Sequence, residues 1–431
     1  TKKGTMINKM WRELGALDDS TEIIKTDSFY SVTLDGETLT VYNDFDKCKA
    51  EFLAHSQGDE EEINRMFDLI DWLIKTEHLE PELEVPYELQ EKPNMRAMMD
   101  FLRHITYHFK LSLKEWSKKF NSPIIKMALN YSLINNYFNA FYFLQTLGNL
   151  FVGNDGLPVG GSHNMRDRIV NRYLSLGGKI FYNSDVSKII VEDGVAKGIE
   201  VKGKEIYADY VISAIDTHYC LDKLLGNDLS TTEYQKFDNE PEKYPTYSFV
   251  IASYRTKVDF TNEEVDQIKK IPEYSFMNKK YDYISYRHYG YDKELMTDGY
   301  TTIQVMLTTF KEDYDYLKSL PRAQYMAFKE EIGKFYKTQL EGMYEGEFEL
   351  IDVWSPLTNE RYNHSYNGTF MPYPLIERMN QQIRSAKTDI KNLYLAGQWL
   401  ISPGGVAVSS LTGRMAAQLI LHNEGMDYKN I

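Results

Sequence analysis

Two α/β passages far apart in the chain, 153–216 and 385–425, constrain the fold more than any other feature. Neither is long enough to bury a core of its own, so the two are expected to close into one domain. The stretch between them, 217–384, and the stretch ahead of them, 1–152, then belong to a second domain. The first passage follows a break at Gly153-Asn154-Asp155-Gly156-Leu157-Pro158. Ser162 is the expected N-cap, its hydroxyl accepting from the free amides of the next turn. Met165, Ile169, Val170, Tyr173 and Leu174 give the helix an apolar face, and Gly177-Gly178 ends it. A short strand is expected at Lys179-Ile180-Phe181-Tyr182. Three meandering strands follow, Lys188–Glu192, Val195–Val201 and Glu205–Ala208, turning at Asp193-Gly194 and Lys202-Gly203, and then a buried strand at Tyr210–Ala214. The second passage reads as a strand (Leu393–Gly397), a turn (Pro403-Gly404-Gly405) and a helix (Val408–Leu421).

The other regions are mixed. Phe29–Thr33 and Thr38–Tyr42 flank Asp35-Gly36, a pair that takes positive φ readily, and predict a hairpin over 28–42. From Lys47 to about Lys75, Leu53, Ile63, Met66, Phe67, Ile70 and Leu73 share a helical face, below an acidic start at Asp59–Glu62. Pro81, Pro86 and Pro93 mark 80–97 as a linker, and 97–152 returns to helix, ending in the aromatic stretch Tyr137–Leu144. Strands are expected at Tyr247–Ser253 and Thr301–Thr308, and an amphipathic helix at Arg322–Leu340. The 33 tyrosines and 21 phenylalanines admit two readings, a compositional habit or a large apolar cavity lined with rings. The stretch 137–144 is a candidate cavity wall, although at helical spacing such residues commonly form core.

Several function classes are excluded or disfavoured. A net charge of −14 gives no general attraction for nucleic acid or anionic lipid headgroups. No apolar run approaches the roughly 20 residues that span a bilayer. Two cysteines, Cys48 and Cys220, fit a reduced cytoplasmic protein rather than a disulfide framework. In such a chain the sequons at Asn130, Asn363 and Asn367 carry no meaning. His104 and His108 share a helix face, but without a neighbouring Glu or a third ligand no metal site is expected. No Ser-His-Asp or Cys-His arrangement stands out, so no catalytic residue is assigned.

The chemistry lies in Leu393-Tyr394-Leu395-Ala396-Gly397-Gln398-Trp399-Leu400-Ile401-Ser402-Pro403-Gly404-Gly405-Val406-Ala407. A strand ending in glycine, followed by a Gly-Gly turn into a helix, lets backbone approach a flat cofactor and offers free amides to an anion. Ser409, Ser410, Gly413, Ala416 and Ala417 keep the helix close to a sheet. Together with Pro158-Val159-Gly160-Gly161, Gly177-Gly178-Lys179-Ile180, Val186-Ser187-Lys188-Ile189, Ala208–Ser213 and Ser355–Tyr362, in that order and spacing, this stretch through Arg414 resembles the phytoene desaturase, carotenoid isomerase and retinol saturase group of flavoproteins.

That resemblance implies an α/β fold of the glutathione-reductase and amine-oxidase type, an FAD/NAD(P)-binding domain carrying an inserted α+β substrate domain. It implies FAD as cofactor, with Val186 against the adenine end, Gly397 and Gln398 at the pyrophosphate and ribityl chain, Gly405, Val406 and Ala407 at the isoalloxazine, and Gly160 and Gly161 near the flavin or the cavity mouth. It implies hydride transfer with an apolar, polyene or isoprenoid-like substrate, which would favour peripheral membrane contact even though no basic amphipathic helix supports one. Such enzymes open with a Gly-x-Gly-x-x-Gly unit that this sequence does not contain. The chain begins Thr1-Lys2-Lys3, so it is expected to start beyond that unit, with weakened hold on FAD and little activity of its own. The turn also lacks the group's third glycine and following proline, reading Gly404-Gly405-Val406-Ala407. An amine-oxidase-like enzyme for a small polar substrate and a redox-inactive lipid-binding protein are the rival readings.

Overall fold

The computed structural model describes residues 5–79, 85–90, 94–132, 136–226, 240, 242–369, 385–401 and 404–429. It begins with a helix not anticipated from the sequence, α1 (Met6–Glu13), where the Thr5 hydroxyl accepts from the Asn8 amide at 3.3 Å and Met6, Met10 and Trp11 are buried. After the two-residue strand β1 (Ile23–Ile24) comes the expected hairpin, β2 (Ser28–Leu34) and β3 (Glu37–Tyr42), turning at Asp35 and Gly36 with φ of 51° and 87°.

Six helices pack beside the hairpin: α2 (Phe45–Ala54), α3 (Glu60–Lys75), α4 (Met95–Phe109), α5 (Leu113–Ser117), α6 (Pro123–Asn130) and α7 (Ala140–Phe151). The long helical stretches expected over 47–75 and 97–152 are thus broken, and the restarts have side-chain causes. Ser112 and Glu115 form a capping box, Ser122 precedes Pro123 at the first position of α6, and Asn139 accepts from the Phe141 amide at 2.9 Å. Ile63, Met66, Phe67, Ile70 and Leu73 face inward as their spacing predicts. The aromatic stretch is core rather than cavity wall, since Phe138, Phe141, Phe143 and Leu144 are buried in the same cluster.

β4 (Leu157–Pro158) pairs with β1 and leads into α8 (Gly161–Ser175). Ser162 is not its N-cap. Gly160, at φ 76°, occupies that position, and the helix starts before Ser162. Gly177, at φ 88°, ends the helix as expected. The strand expected at 179–182 does not form. Phe181 and Tyr182 are 76% and 75% exposed, and among the described residues no strand pairs with them. The meander is present as β5 (Val186–Glu192), β6 (Val195–Val201) and β7 (Lys204–Tyr207), followed by β8 (Val211–Ser213).

A larger sheet is built from β9 (Tyr247–Thr256), β10 (Asp266–Phe276), β11 (Lys279–His288) and β12 (Thr301–Phe310), then helices α9 (Lys311–Ser319) and α10 (Arg322–Met343), strand β13 (Phe348–Trp354) and helix α11 (Pro356–Asn363). Its seven strands lie in the order β13-β9-β12-β11-β10-β2-β3. All pairs are antiparallel except β10 with β2, where Gln267 faces Ser31. Alternate residues Val250, Ala252, Tyr254, Ile303, Val305 and Leu307 pack with Phe328, Ile332, Tyr336 and Leu340 of α10. The chain closes with β14 (Leu393–Leu395), parallel to β8, and α12 (Val406–Asn423). Residues of α1, α8 and α12 share one apolar cluster that contains Met10, Trp11, Met165, Ile169, Ala407 and Leu411.

Candidate functional site

The strand–turn–helix at the C-terminal end is held by a side chain rather than by the turn alone. The amide of Gly397 donates to Thr412 Oγ1 at 2.8 Å, and the Thr412 hydroxyl lies within reach of the carbonyls of Gly397 at 3.2 Å and Ser409 at 2.9 Å. Thr412 is 1% exposed, so this tie is dry and fixes the turn after β14 to the second turn of α12. Gly397 and Gly405 have φ of 125° and 92°, and a Cβ on either would meet no heavy atom within 4 Å. Open space therefore lies in front of two stretches of backbone, beside a helix N-terminus that has no side-chain cap and whose Val406 is 67% exposed. Such an arrangement fits the edge of a flat ring that becomes anionic on reduction. Gln398 is half-buried next to Gly397, Ala407 packs in the cluster shared with α8, and Ser402 and Pro403 lie outside the described residues.

Val186 opens β5, opposite Val201, and is half-buried in a cluster that also contains Leu393, Leu395 and Ala416. The meander and the C-terminal turn thus rest on one apolar base. Gly160 is differently engaged. Its amide donates to Asp292 Oδ2 at 2.7 Å, and a Cβ there would lie 1.7 Å from the Asn164 amide nitrogen. Asp292 is 2% exposed and belongs to the loop after β11, so Gly160 ties the start of α8 to the large sheet. A Cβ on Gly161 (φ 63°) would lie 3.6 Å from Leu295 of the same loop.

At the end of β8, Asp216 joins three segments. Its carboxylate accepts from the amides of Tyr219 at 3.1 Å and Tyr366 at 2.9 Å, and lies 3.7 Å from His218 Nδ1. His218, 3% exposed, stacks on Tyr366 with centroids 3.9 Å apart and meets the edge of Trp399 at 4.7 Å. Burial raises the pKa of Asp216, and the His218 charge opposes that rise. Cys220, one turn on, is pushed up to about 11 by burial, which leaves an unreactive thiol.

The second face of the large sheet, opposite α10, carries Phe249, Ile251 and Ser253 of β9, Gln304, Met306, Thr308 and Phe310 of β12, and Tyr283, Ser285 and Arg287 of β11, as the strand registers require. Its two ends differ. Toward the Asp292 loop it is polar: Arg287 makes a bidentate pair with Asp266 at 2.8 and 2.7 Å, and Tyr289 bonds Gln304, which bonds Ser253. Toward Phe310 it borders a cavity of about 130 Å³ lined by Tyr131, Phe249, Tyr281, Tyr283, Met306 and Phe310, among others. Tyr131 stacks on Tyr283 at 4.0 Å and closes one side. From Phe310 to Gln304 the face runs for roughly 20 Å at strand spacing.

Sequence reasoning located the glycines and missed Thr412, Asp216, His218, Trp399 and Asp292. A threonine at the seventh position of a small-residue helix gives no local signal. Asp216-Thr217-His218, directly after a buried strand, could have been noticed, because strand ends in α/β sheets border ligand crevices. Among the described residues no group of three or more His, Cys, Asp or Glu side chains is arranged to hold a metal. No helix of the described residues is long and apolar enough to cross a membrane.

Comparison with known proteins shows the family and the fold. The family described as flavin containing amine oxidoreductase matches residues 46–421. The chain is 25% identical over 285 residues to a chloroplastic prolycopene isomerase of Daucus carota, covering 64% of this chain and 46% of that protein. It is 24% identical over 240 residues to a neurosporene-forming phytoene desaturase of Rhodobacter capsulatus, covering 51% and 43%. The chain thus spans about half the length of the curated relatives it matches. Among solved structures, putrescine oxidase bound to putrescine superposes with a TM-score of 0.55 at 14% identity, covering 96% of this chain and 85% of that one. An oxidoreductase from Methanosarcina mazei gives 0.54 at 14% identity, covering 93% and 82%. These two likenesses establish the fold.

Proposed function

The chain belongs to the family of flavin containing amine oxidoreductases, and from that premise we propose that the full-length protein is an FAD-dependent oxidoreductase acting on an apolar, polyene or isoprenoid-like molecule. Bound FAD supplies the hydride acceptor or donor for a carbon–carbon bond, a step common to desaturation, saturation and flavin-assisted isomerisation. The residues of this chain orient and enclose. The backbones of Gly397 and Gln398 hold the pyrophosphate and ribityl chain, and Gly405, Val406 and Ala407 meet the ring beside the free amides of α12. Val186 lies toward the adenine, and Gly160 and Gly161 bring the large sheet to the cavity mouth. In this reading 153–216 and 385–425 form the cofactor domain, and 1–152 with 217–384 form the substrate domain. The protein works in the cytoplasm, meets membrane only peripherally through its substrate, and has no nucleic-acid partner.

The observation that carries the reading is the second face of the large sheet. It runs from the Gly160 tie to a ring-lined cavity, a length suited to an extended apolar chain rather than to a small polar amine. The visible absorption spectrum of the purified full-length protein tests it. Yellow protein that releases FAD on denaturation is the expected result. Protein that stays colourless after FAD is added would sink the proposal and favour a lipid-binding role.

A further inference from the structure

We infer that the cavity at the far end of this sheet face recognises a hydroxyl group on the end of the apolar substrate, and that Tyr281 and Asp313 are the groups that bind it. The inference rests on reading that face as the substrate wall.

Tyr281 lines the cavity, and its hydroxyl is buried with no hydrogen-bond partner among the described residues. Asp313, at the start of α9, is 1% exposed. Its Oδ2 is used twice, accepting from the Phe310 amide at 2.8 Å and from the Lys279 ammonium at 2.8 Å, while Oδ1 is buried with no partner among the described residues. Lys279 and Phe310 also line the cavity, and Tyr281 and Asp313 are close enough to act on one another electrostatically. Folded proteins seldom leave buried polar atoms unpaired, so Tyr281 on the cavity wall and Asp313, directly behind the lining residues Lys279 and Phe310, call for a shared partner.

The unpaired atoms specify that partner. Tyr281 has a proton to give, and Asp313 Oδ1 has a lone pair to offer. A hydroxyl is donor and acceptor at once and can satisfy both. A ketone would satisfy the tyrosine alone, and a hydrocarbon neither. A carboxylate would meet the Asp313 charge, and an ammonium would meet Lys279. Phe249, Tyr283 and Met306 supply apolar contact for the carbon skeleton behind the hydroxyl. The cavity volume suits an end group, with the rest of the molecule lying along the sheet toward Gly160.

The test uses radiolabelled farnesol and the hydrocarbon in which hydrogen replaces its hydroxyl. Both are presented to the full-length protein in the same detergent, with binding measured by equilibrium dialysis. Wild-type protein is expected to bind the alcohol about tenfold more tightly, the range of one or two hydrogen bonds that are lost on deletion. Tyr281→Phe should erase that preference and leave hydrocarbon binding unchanged. Equal binding of the two ligands by the wild type, which needs no variant, overturns the inference and leaves the apolar cavity standing. A preference that survives in Tyr281→Phe overturns it as well. Hydrocarbon binding that Met306→Trp does not weaken puts the ligand outside the cavity, and then the substrate wall fails together with the hydroxyl site.

Discussion

Thr412 shows how much a single unremarkable side chain can do at this site. Its hydroxyl meets both the amide and the carbonyl region of Gly397. Thr412→Val keeps the shape and removes those bonds, at about 1–2 kcal/mol. Retention of FAD by the full-length protein should weaken about tenfold, read by flavin fluorescence on titration, while the far-UV spectrum stays unchanged. His108 illustrates a different residue-scale effect. It is buried beside Tyr107 and Trp116, neither ring nitrogen has a hydrogen-bond partner among the described residues, and burial first, with the Arg65 charge second, pushes its pKa down to about 4. The folded value lies below the ordinary imidazole value of 6.5, so the unfolded chain takes up the proton more readily. The stability this neutral histidine allows is complete above about pH 6.5 and is lost as pH falls from there toward 4. Urea unfolding at pH 7.5 and pH 5 should show the wild type losing about 2 kcal/mol more than His108→Phe does.

At the scale of elements, the meander depends on close approach at one position. Gly198 lies in β6, between β5 and β7, and a Cβ there would sit 2.0 Å from the carbonyl oxygen of Ile206. Gly198→Ala must push β7 away and should cost about 2–4 kcal/mol, seen as a lowered melting temperature that the exposed Lys197→Ala does not share. This meander, the 28–42 hairpin and the strand–turn–helix at 393–421 were all legible in sequence, because each carries its signal locally in turn residues and periodic burial. The failures have equally physical reasons. The helix expected to start at Ser162 is claimed by Gly160 because a distant aspartate, Asp292, takes the glycine amide. The strand at 179–182 had the right composition and, among the described residues, no neighbour to pair with. The helical stretch expected over 97–152 is divided at the capping residues Ser112, Ser122 and Asn139, whose signal lies in single polar residues. Of the site, the glycines could be found because positive φ leaves a trace in composition. Thr412 left no local trace, and Asp216 left only its position after a buried strand, because the partners of both are set by tertiary structure.

For the whole molecule, the decisive contacts join residues far apart in sequence. β14 pairs with β8, α1 packs on α12, and β2 pairs with β10 through Gln267 and Ser31. Among the described residues the meander β5-β6-β7 forms a sheet from one contiguous stretch, whereas the β14–β8 pair and the seven-stranded sheet each join strands from distant parts of the chain. The parallel pairing of β2 with β10 has a consequence for synthesis. The ribosome makes the hairpin more than two hundred residues before the strand it must join, at roughly 5–20 residues per second. The β2 edge of the hairpin thus stays unpaired for some ten seconds or longer as the chain emerges, and in that window it is open to wrong partners unless a chaperone shields it.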